Sequence, residues 1–393
     1  MNIIIFEDSN IDYLQPFSIN HCSFELKCGI YSNLERVIKS TDKDNSIYLI
    51  VRSDFKELIQ EKFPRYTVNP KVIPKGLYLN GAAIWNAVNI EKTLNGHAFS
   101  SSGHLVAFRE NNSVNFDEIE QLIEKKSGVT SDINIDYISY LWDCIDLIED
   151  SLNFDKKNLS RSNIDMDNSV ITINEENIYL LDSVKVNAGC ILDASKGPII
   201  LNSNVTLGFG SIIKGPIFID QGSIISDGSK LKGNVLIGPK CKVGGEVTDT
   251  IFHGHSNKAH DGFLGNSYIG EWVNLGANTN NSNLKNNYGK IKFQFNKNII
   301  DTNKLFLGAM IGDFTRTGIS TMINTGSNIG LGSNIFGGGF QNKYIDSFSW
   351  GEKDVVDFNK FIDTVKIMKH RRNEKVSEIE VSFLKKIYNK SIK

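Results

Sequence analysis

Aliphatic residues recur at every sixth position through much of the second half of the chain. Leu207, Ile213, Ile219, Ile225, Leu231, Ile237 and Val243 mark the register. Two positions earlier stand Val205, Ser211, Ile217, Ser223, Ser229, Val235 and Cys241, all small or β-branched. A spacing of six fits neither the repeat of a helix nor the alternation of a long strand. It fits a short strand plus a turn, three such units forming one triangular coil whose inward residues stack as aliphatic ladders. Gly210, Gly222 and Gly228 fall near the corners, where a backbone without a Cβ is tolerated at positive φ. The register returns at Phe263, Ile269 and Leu275, and again at Leu305, Ile311, Thr317, Ile323, Ile329 and Ile335. The pattern predicts a hexapeptide β-helix over 171–340, interrupted at 276–304 by a segment too polar and Asn-rich to continue the core. Ladder residues are explained by packing alone, so this excursion is where binding groups are expected.

Upstream the texture is mixed α and β, predicting an α/β domain over 1–155 and a polar linker over 156–170. Asn2 to Phe6 and Ser46 to Val51 read as strands. Ser32 is placed to cap a helix carrying Leu34, Val37 and Ile38, and Asp54 one bearing Leu58 and Ile59. Ile138, Leu141, Ile145 and Ile148 make an apolar helical stripe. Downstream, residues 341–393 form a tail in which Phe358, Phe361, Ile362 and Val365, then Val376, Ile379, Phe383 and Ile387, predict two amphipathic helices. From Lys366 onward nine Lys or Arg face three Glu. That excess suits the solvated side of helices packed on the β-helix, and a phosphate-binding or partner-binding role stays open.

Composition narrows the functional classes. A chain of 393 residues is long enough for two or three domains with their own cores. Its 43 Lys+Arg against 45 Asp+Glu argue against a general nucleic-acid surface. No run is long and apolar enough for a membrane span, and the opening Met1 to Phe6 lacks the flanks of a signal peptide, so a cytoplasmic location is expected. Cys22, Cys28, Cys144, Cys190 and Cys241 are odd in number and widely spaced, which predicts reduced, packed thiols rather than disulfides or a thiolate metal site.

Candidate chemistry gathers where the six-residue register slips. His253, His255 and His260 lie within IFHGHSNKAHDGFLG. Three readings stand side by side: a zinc triad, a single general base, or loop histidines without chemistry. His260 is the favoured base, because Lys258, Asn274, Asn283 and Lys285 supply donors nearby with few carboxylates to hold a metal. Such donors suit a phosphosugar and an acyl oxyanion. The first domain lacks GxGxxG and P-loop motifs. Glu7 and Asp8 end its first strand, where α/β sheets place ligands. Glu25 and Lys27 follow in FELKCGI, and Asn80 with Gly81 in YLNGAA either approaches a base or ribose or forms a plain turn.

NKAHDGFLGNSYIGEWVNLGANT resembles the acetyltransferase half of the bifunctional uridylyltransferases/acetyltransferases that make UDP-N-acetylglucosamine. NSNLKNNYGKIKF, IGDFTRTGISTMINTGSNIGLGSNIFGGGF and SFSWG resemble more closely an alternative bacterial branch of sugar nucleotidyltransferases with a C-terminal hexapeptide-repeat domain, over about 250–351. MNIIIFED and FELKCGI extend a weaker likeness to the N-terminus. The resemblance implies an α/β nucleotidyltransferase-like domain, a left-handed parallel β-helix and C-terminal helices, assembled as a homotrimer. It implies that His260 takes a proton as an amino-sugar 1-phosphate attacks acetyl-CoA, with Lys258, Asn274 and Asn283 orienting the sugar phosphate. Backbone near Ala277 and Ala309 would line a CoA groove between subunits. Attack of the sugar phosphate on UTP, with Mg2+, would follow in the first domain.

The chain departs from these relatives at several positions. Lys258 is one residue nearer the histidine than in the better-known branch, and Phe263 and Leu284 stand at its tyrosine positions. His21, Cys22 and Lys27 replace the other branch's Arg-Pro pair and following Arg, and a bidentate guanidinium is not matched by Lys. Three rivals are a monofunctional nucleotidyltransferase with a structural β-helix, a zinc hydratase, and a non-catalytic scaffold that binds a nucleotide sugar.

Overall fold

The computed structural model describes residues 1–94, 98–162, 166–296 and 298–392, so residues 163–165 of the expected linker lie outside it. Asn2–Phe6 forms the centre of a seven-stranded mixed sheet, because Ile3, Ile4 and Ile5 are apolar on both faces and each is fully buried. The sheet runs Thr67–Val68, Ser46–Ile50, Asn2–Phe6, Gly76–Asn80, His104–Glu110, Ala98–Ser101 and Ser131–Asp132. Asn2–Phe6 pairs in parallel with Ser46–Ile50 on one side and Gly76–Asn80 on the other. Chain order therefore reverses at its carboxyl end, the position at which open α/β sheets bind ligands. Ser32 caps the helix Asn33–Lys39 in a reciprocal capping box with Glu35, as the sequence predicts. Asp54 does not cap its helix; it lies in a 3-10 turn before Lys56–Lys62 and pairs with Lys390 at 2.5 Å.

The second domain is the expected parallel β-helix. Most of its strands are two or three residues long, Glu246–Gly254 and Phe263–Glu271 being longer, and each pairs with the equivalent strand of the next coil. Leu207, Ile213, Ile219, Ile225, Leu231, Ile237 and Val243 are all fully buried inside it. Ser211, Ser223 and Ser229 are buried with them, which is tolerable because each hydroxyl donates to a turn carbonyl, Gly208, Gly238 and Ser226 respectively. Gly210, Gly222 and Gly228 sit at corners with φ of 65°, 69° and 65°.

Two register positions are corrected. Phe263 is half-exposed and Leu264 takes the inner place, because Val247 and Leu264 follow contracted coils. Leu305 is 41% exposed, and the core resumes at Ala309 and Ile311. The ladder also continues past 340, through Tyr344–Ile345 and Ser349–Trp350.

The excursion differs from expectation. Asn280–Asn281 still pairs with Met322–Ile323, so the chain leaves the coil only after that strand. Beyond it Lys292–Phe295 and Asn298–Asp301 form an antiparallel hairpin. Phe293 is fully buried and meets Trp142 edge-on at 4.9 Å, so the hairpin is largely a brace against the first domain.

One face of the β-helix is apolar outside as well as inside. Ile200, Phe218, Leu236, Ile251, Tyr268 and Met310 point outward and are buried against Ile138, Leu141, Ile145, Ile148 and Leu152 of the first domain. At roughly 1.5–3 kcal/mol per large apolar side chain, this stripe contributes on the order of 10 kcal/mol to docking. The tail adds a second tie. Phe361 of the helix Phe358–His370 packs on Phe314 and Phe348 of the β-helix, while Phe383 of Glu378–Ser391 meets Phe55 of the first domain at 4.7 Å. The five cysteines are free and buried, and among the described residues no helix is long and apolar enough to cross a membrane.

Phe218→Ala should lower stability by about 3 kcal/mol and speed proteolysis between the domains. Chemical denaturation and limited proteolysis check this; a change confined to well under 1 kcal/mol, with cleavage unchanged, counts against the stripe as the docking element.

Candidate functional site

His260 occupies a corner of the triangular coil. The turn Ala259–Gly262 joins the strand Asn257–Lys258 to Phe263–Glu271, and its imidazole is exposed. Ala277 lies on the same edge one coil later, since Asn278 N–H donates to Asp261 O at 2.9 Å, and Ser320 N–H donates to Ala277 O at 2.8 Å. A depression of about 310 Å³ opens beside this turn, lined among others by Lys230, Glu246, Asp261, Phe263 and Asn280. Carboxylates therefore stand closer to His260 than the sequence alone suggested.

Lys258 does not meet an anion. Its ladder partner is Val243, an inward position, and only 2% of the residue is exposed. The ammonium donates to Gly244 O and His260 O, both at 3.0 Å. Burial lowers its pKa to about 8, with Asp261 opposing the shift. Instead of orienting substrate, this lysine ties down the backbone that presents His260.

The remaining candidates divide. Asn274 is exposed on the face leading to the His260 corner, bridged to Asn257. Asn283 donates to Asn266 Oδ1 at 2.7 Å, at the corner that follows the His260 turn, where Asn266 has a φ of 49°, and Lys285 donates to Lys290 O. Among the described residues neither makes a hydrogen bond to the imidazole. Ala309 is fully buried in the coil interior, so its side chain lines no groove. The histidine triplet is dispersed. His253 is buried, takes the Tyr268 hydroxyl at 3.0 Å and is lowered to about 3 by burial. His255 stacks on Trp272 at 4.4 Å and bonds Glu374 at 2.9 Å. A zinc triad from these three is not formed.

In the first domain Asp8 stands at the chain reversal. Its carboxylate accepts from Asn80 Nδ2 at 2.7 Å, from the Tyr137 hydroxyl at 2.9 Å and from Asn10 N–H at 3.0 Å. Burial and the neighbouring Asp8 hold the Tyr137 phenol well above its ordinary pKa, so it remains a donor. Asn80 is fully buried and also donates to Leu105 O, while its Oδ1 takes Ala82 N–H. It braces the loop and does not reach toward a base or ribose. Glu7 is held by Arg52 and Ser23 N–H, leaving Asp8 as the partly exposed carboxylate here.

Glu25 and Lys27 are not open to a triphosphate. Lys27 faces Asp220 of the β-helix at 3.6 Å, and Glu25 is buried between Lys62 and His21. Burial opposes its ionisation, but those two cations outweigh it and hold the carboxyl well below the usual range. His21 Nε2 bonds Asp313 at 2.8 Å, and Asn20 donates to the same oxygen. His21 and Lys27 thus both face carboxylates of the other domain. Neither this latch nor the outward stripe figured in the sequence reading. The stripe's signal was present, as apolar residues 18 apart at 200, 218 and 236; the latch had none.

Comparison with known proteins fits this division. Residues 3–164 match the family model described as sugar nucleotidyl transferase. The first domain is a sugar nucleotidyltransferase domain. That match concerns the first domain alone. A bifunctional sugar-1-phosphate nucleotidylyltransferase/acetyltransferase of Sulfurisphaera tokodaii is 33% identical over 180 residues, 45% of this chain and 42% of the relative. The chain therefore spans less than half of that relative's length. Among solved structures, a Francisella novicida UDP-N-acetylglucosamine acyltransferase is 10% identical with a TM-score of 0.22, covering 58% of this chain and 87% of that one. The Arabidopsis UDP-N-acetylglucosamine acyltransferase is 13% identical with a TM-score of 0.22, covering 51% and 76%. At such scores these likenesses carry no argument, and the β-helix rests on its own ladders.

Two titrations separate the structural roles. Lys258 has a folded pKa of about 8 against 10.5 as its ordinary value, so its burial cost is present below pH 8 and relieved between pH 8 and 10.5. Relative to Lys258→Met, the unaltered protein should gain roughly 2–3 kcal/mol across that window in unfolding measurements; a flat difference would place the ammonium in water. His21 behaves oppositely. Burial works against its charge, but Asp313 and Glu25 push it up to about 10 from 6.5, so its contribution is complete below pH 6.5 and lost as pH rises through 10. The stability deficit of His21→Gln should shrink over that range, and a deficit independent of pH would refute the charged pair.

Proposed function

We propose that the chain acetylates an amino-sugar 1-phosphate with acetyl-CoA and then couples the acetylated sugar phosphate to UTP, yielding UDP-N-acetylglucosamine or a closely related nucleotide sugar. The observation that carries the acetyl-transfer half is an exposed imidazole on a β-helix corner whose own carbonyl is anchored by the interior Lys258. A fixed turn holds the base in one place, and positioning is worth more to a bimolecular acyl transfer than basicity alone. The amine nitrogen attacks the thioester carbonyl while His260 accepts the amine proton; the C–N bond forms, the C–S bond breaks, and His260 returns the proton to the departing sulfur so that CoA leaves as the thiol. Ala277 on the same edge permits close approach of a pantetheine arm.

Asn283 and Lys285 lie at another corner, so their participation calls for a neighbouring copy of the chain, in keeping with a homotrimer. Exposed Phe209, Ile319 and Phe336 along the His260 edge are apolar surface of the kind subunits bury. In the nucleotidyltransferase domain the residues fit a triphosphate-bound Mg2+, which needs one or two carboxylates and keeps its waters. Asp8 would hold it, and the ion would shield phosphate charge. The Asn80 and Tyr137 donors orient that carboxylate at the chain reversal.

The test follows thiol and pyrophosphate separately, with acetyl-CoA, UTP, Mg2+ and glucosamine 1-phosphate or its N-acetylated form. His260→Ala should lose thiol release by about 100-fold or more yet keep pyrophosphate release from the acetylated sugar; Asp8→Asn should do the reverse. Thiol release untouched in His260→Ala removes that residue from its role. Pyrophosphate without any thiol from the unaltered protein would leave the β-helix as a structural module.

A further inference from the structure

We propose that Arg316 and Arg372, together with Asn257 and Asn274, form a subsite for a phosphoryl anion on the β-helix face that leads into the His260 corner. The outward positions of this face are laddered: Lys242 beside Asn257, Asn257 beside Asn274, Asn274 beside Arg316, and Arg316 beside Asn334. Parallel neighbours stand about 4.8 Å apart, so these side chains share one patch. No carboxylate occurs among them. Arg372, from the turn that follows the helix Phe358–His370, reaches back over the patch and donates from Nη2 to Asn257 Oδ1 at 3.0 Å. That bond occupies the amide oxygen of Asn257 and leaves its NH2 group to donate outward.

The charges here are unbalanced in a particular way. Among the described residues neither Arg316 nor Arg372 has an ion-pair partner, whereas Lys240 and His255 share Glu374, and Lys369 takes Glu380. Glu374 and Glu380 are thus committed elsewhere. Arg316 is half-buried, and its side chain bonds only the sulfur of Met368, a weak acceptor. Its pKa is lowered by burial alone, with no acidic neighbour to raise it. A guanidinium removed from water without an anion is costly, and the cost is relieved when a ligand supplies the oxygens. Two guanidinium forks and two amides, without carboxylates, match a phosphate monoester or diphosphate. Asn257 lies three residues before His260, which places the anchor on the path to the imidazole.

This inference rests on the acetyl-transfer reading only for the source of the anion, which is either the phosphates of CoA or that of the sugar phosphate. Calorimetric titration of the full chain with adenosine 3′,5′-bisphosphate and, separately, with glucosamine 1-phosphate distinguishes the two and needs no turnover. Arg316→Gln and Arg372→Gln should each weaken one of these ligands by about tenfold or more, the usual scale of a charge-assisted contact. Lys185→Gln, an exposed lysine on the same face several coils away, should leave affinity unchanged. Arg372 lies in the turn after Phe358–His370, outside the coil, so its variant keeps the test valid if Arg316→Gln folds poorly. Equal affinity in the arginine variants, an equal loss in Lys185→Gln, or no saturable binding of either ligand to the unaltered protein overturns the subsite. Arginine-dependent binding in a protein that releases no thiol leaves the subsite standing and removes acetyl transfer instead.

Discussion

A parallel β-helix built from short strands can bury its inner residues by itself, but it has no means of covering an apolar outer face. Here one face is apolar on both sides, and the nucleotidyltransferase domain is what covers it. Ile200, Phe218, Leu236, Ile251, Tyr268 and Met310 must be removed from water, and helical segments ending at Asp155 supply the matching surface. Domain placement, the buried latch and the position of the tail all depend on that contact. Asp155 is itself held by a two-pronged pair with Arg36, at 2.7 and 2.8 Å, which anchors the end of the docking helix to the first domain.

Docking has a chemical consequence for the first domain. With the β-helix in place, Asp313 and Asp220 reach His21 and Lys27, and groups on the segment after the first strand become part of an interface. The candidate nucleotide chemistry is left at Asp8, Asn80 and Tyr137, where chain order reverses. The tail extends the same logic, since one of its helices seals the β-helix and the other rests on the first domain, while the turn between them delivers Arg372 to the face beside His260.

Along the β-helix, two departures from the ladder coincide with the candidate chemistry. The coils contract there, and a lysine takes the place of an aliphatic residue. Lys258 costs free energy as a buried cation, and its two carbonyl contacts offset part of that cost while setting the turn that carries His260. Local violations of an otherwise regular pattern are expected where function is served.

Much of the fold was legible in residue order: the six-residue ladder, its corner glycines, the cap at Ser32, the two tail helices and the α/β character of the first domain. Those features depend on short-range periodicity, turn chemistry and capping, which neighbouring residues dictate directly. Other readings required tertiary structure. Whether Lys258 points in or out, whether His253, His255 and His260 meet, whether Asn80 faces a ligand or a brace, and what Glu25 and Lys27 touch all turn on one-residue changes of register and on contacts between segments far apart in the chain. In a strand a single step reverses the side chain's direction, and a pair such as His21 with Asp313 leaves no local trace. Sequence periodicity determined which coils exist; only packing decided which side chains those coils expose.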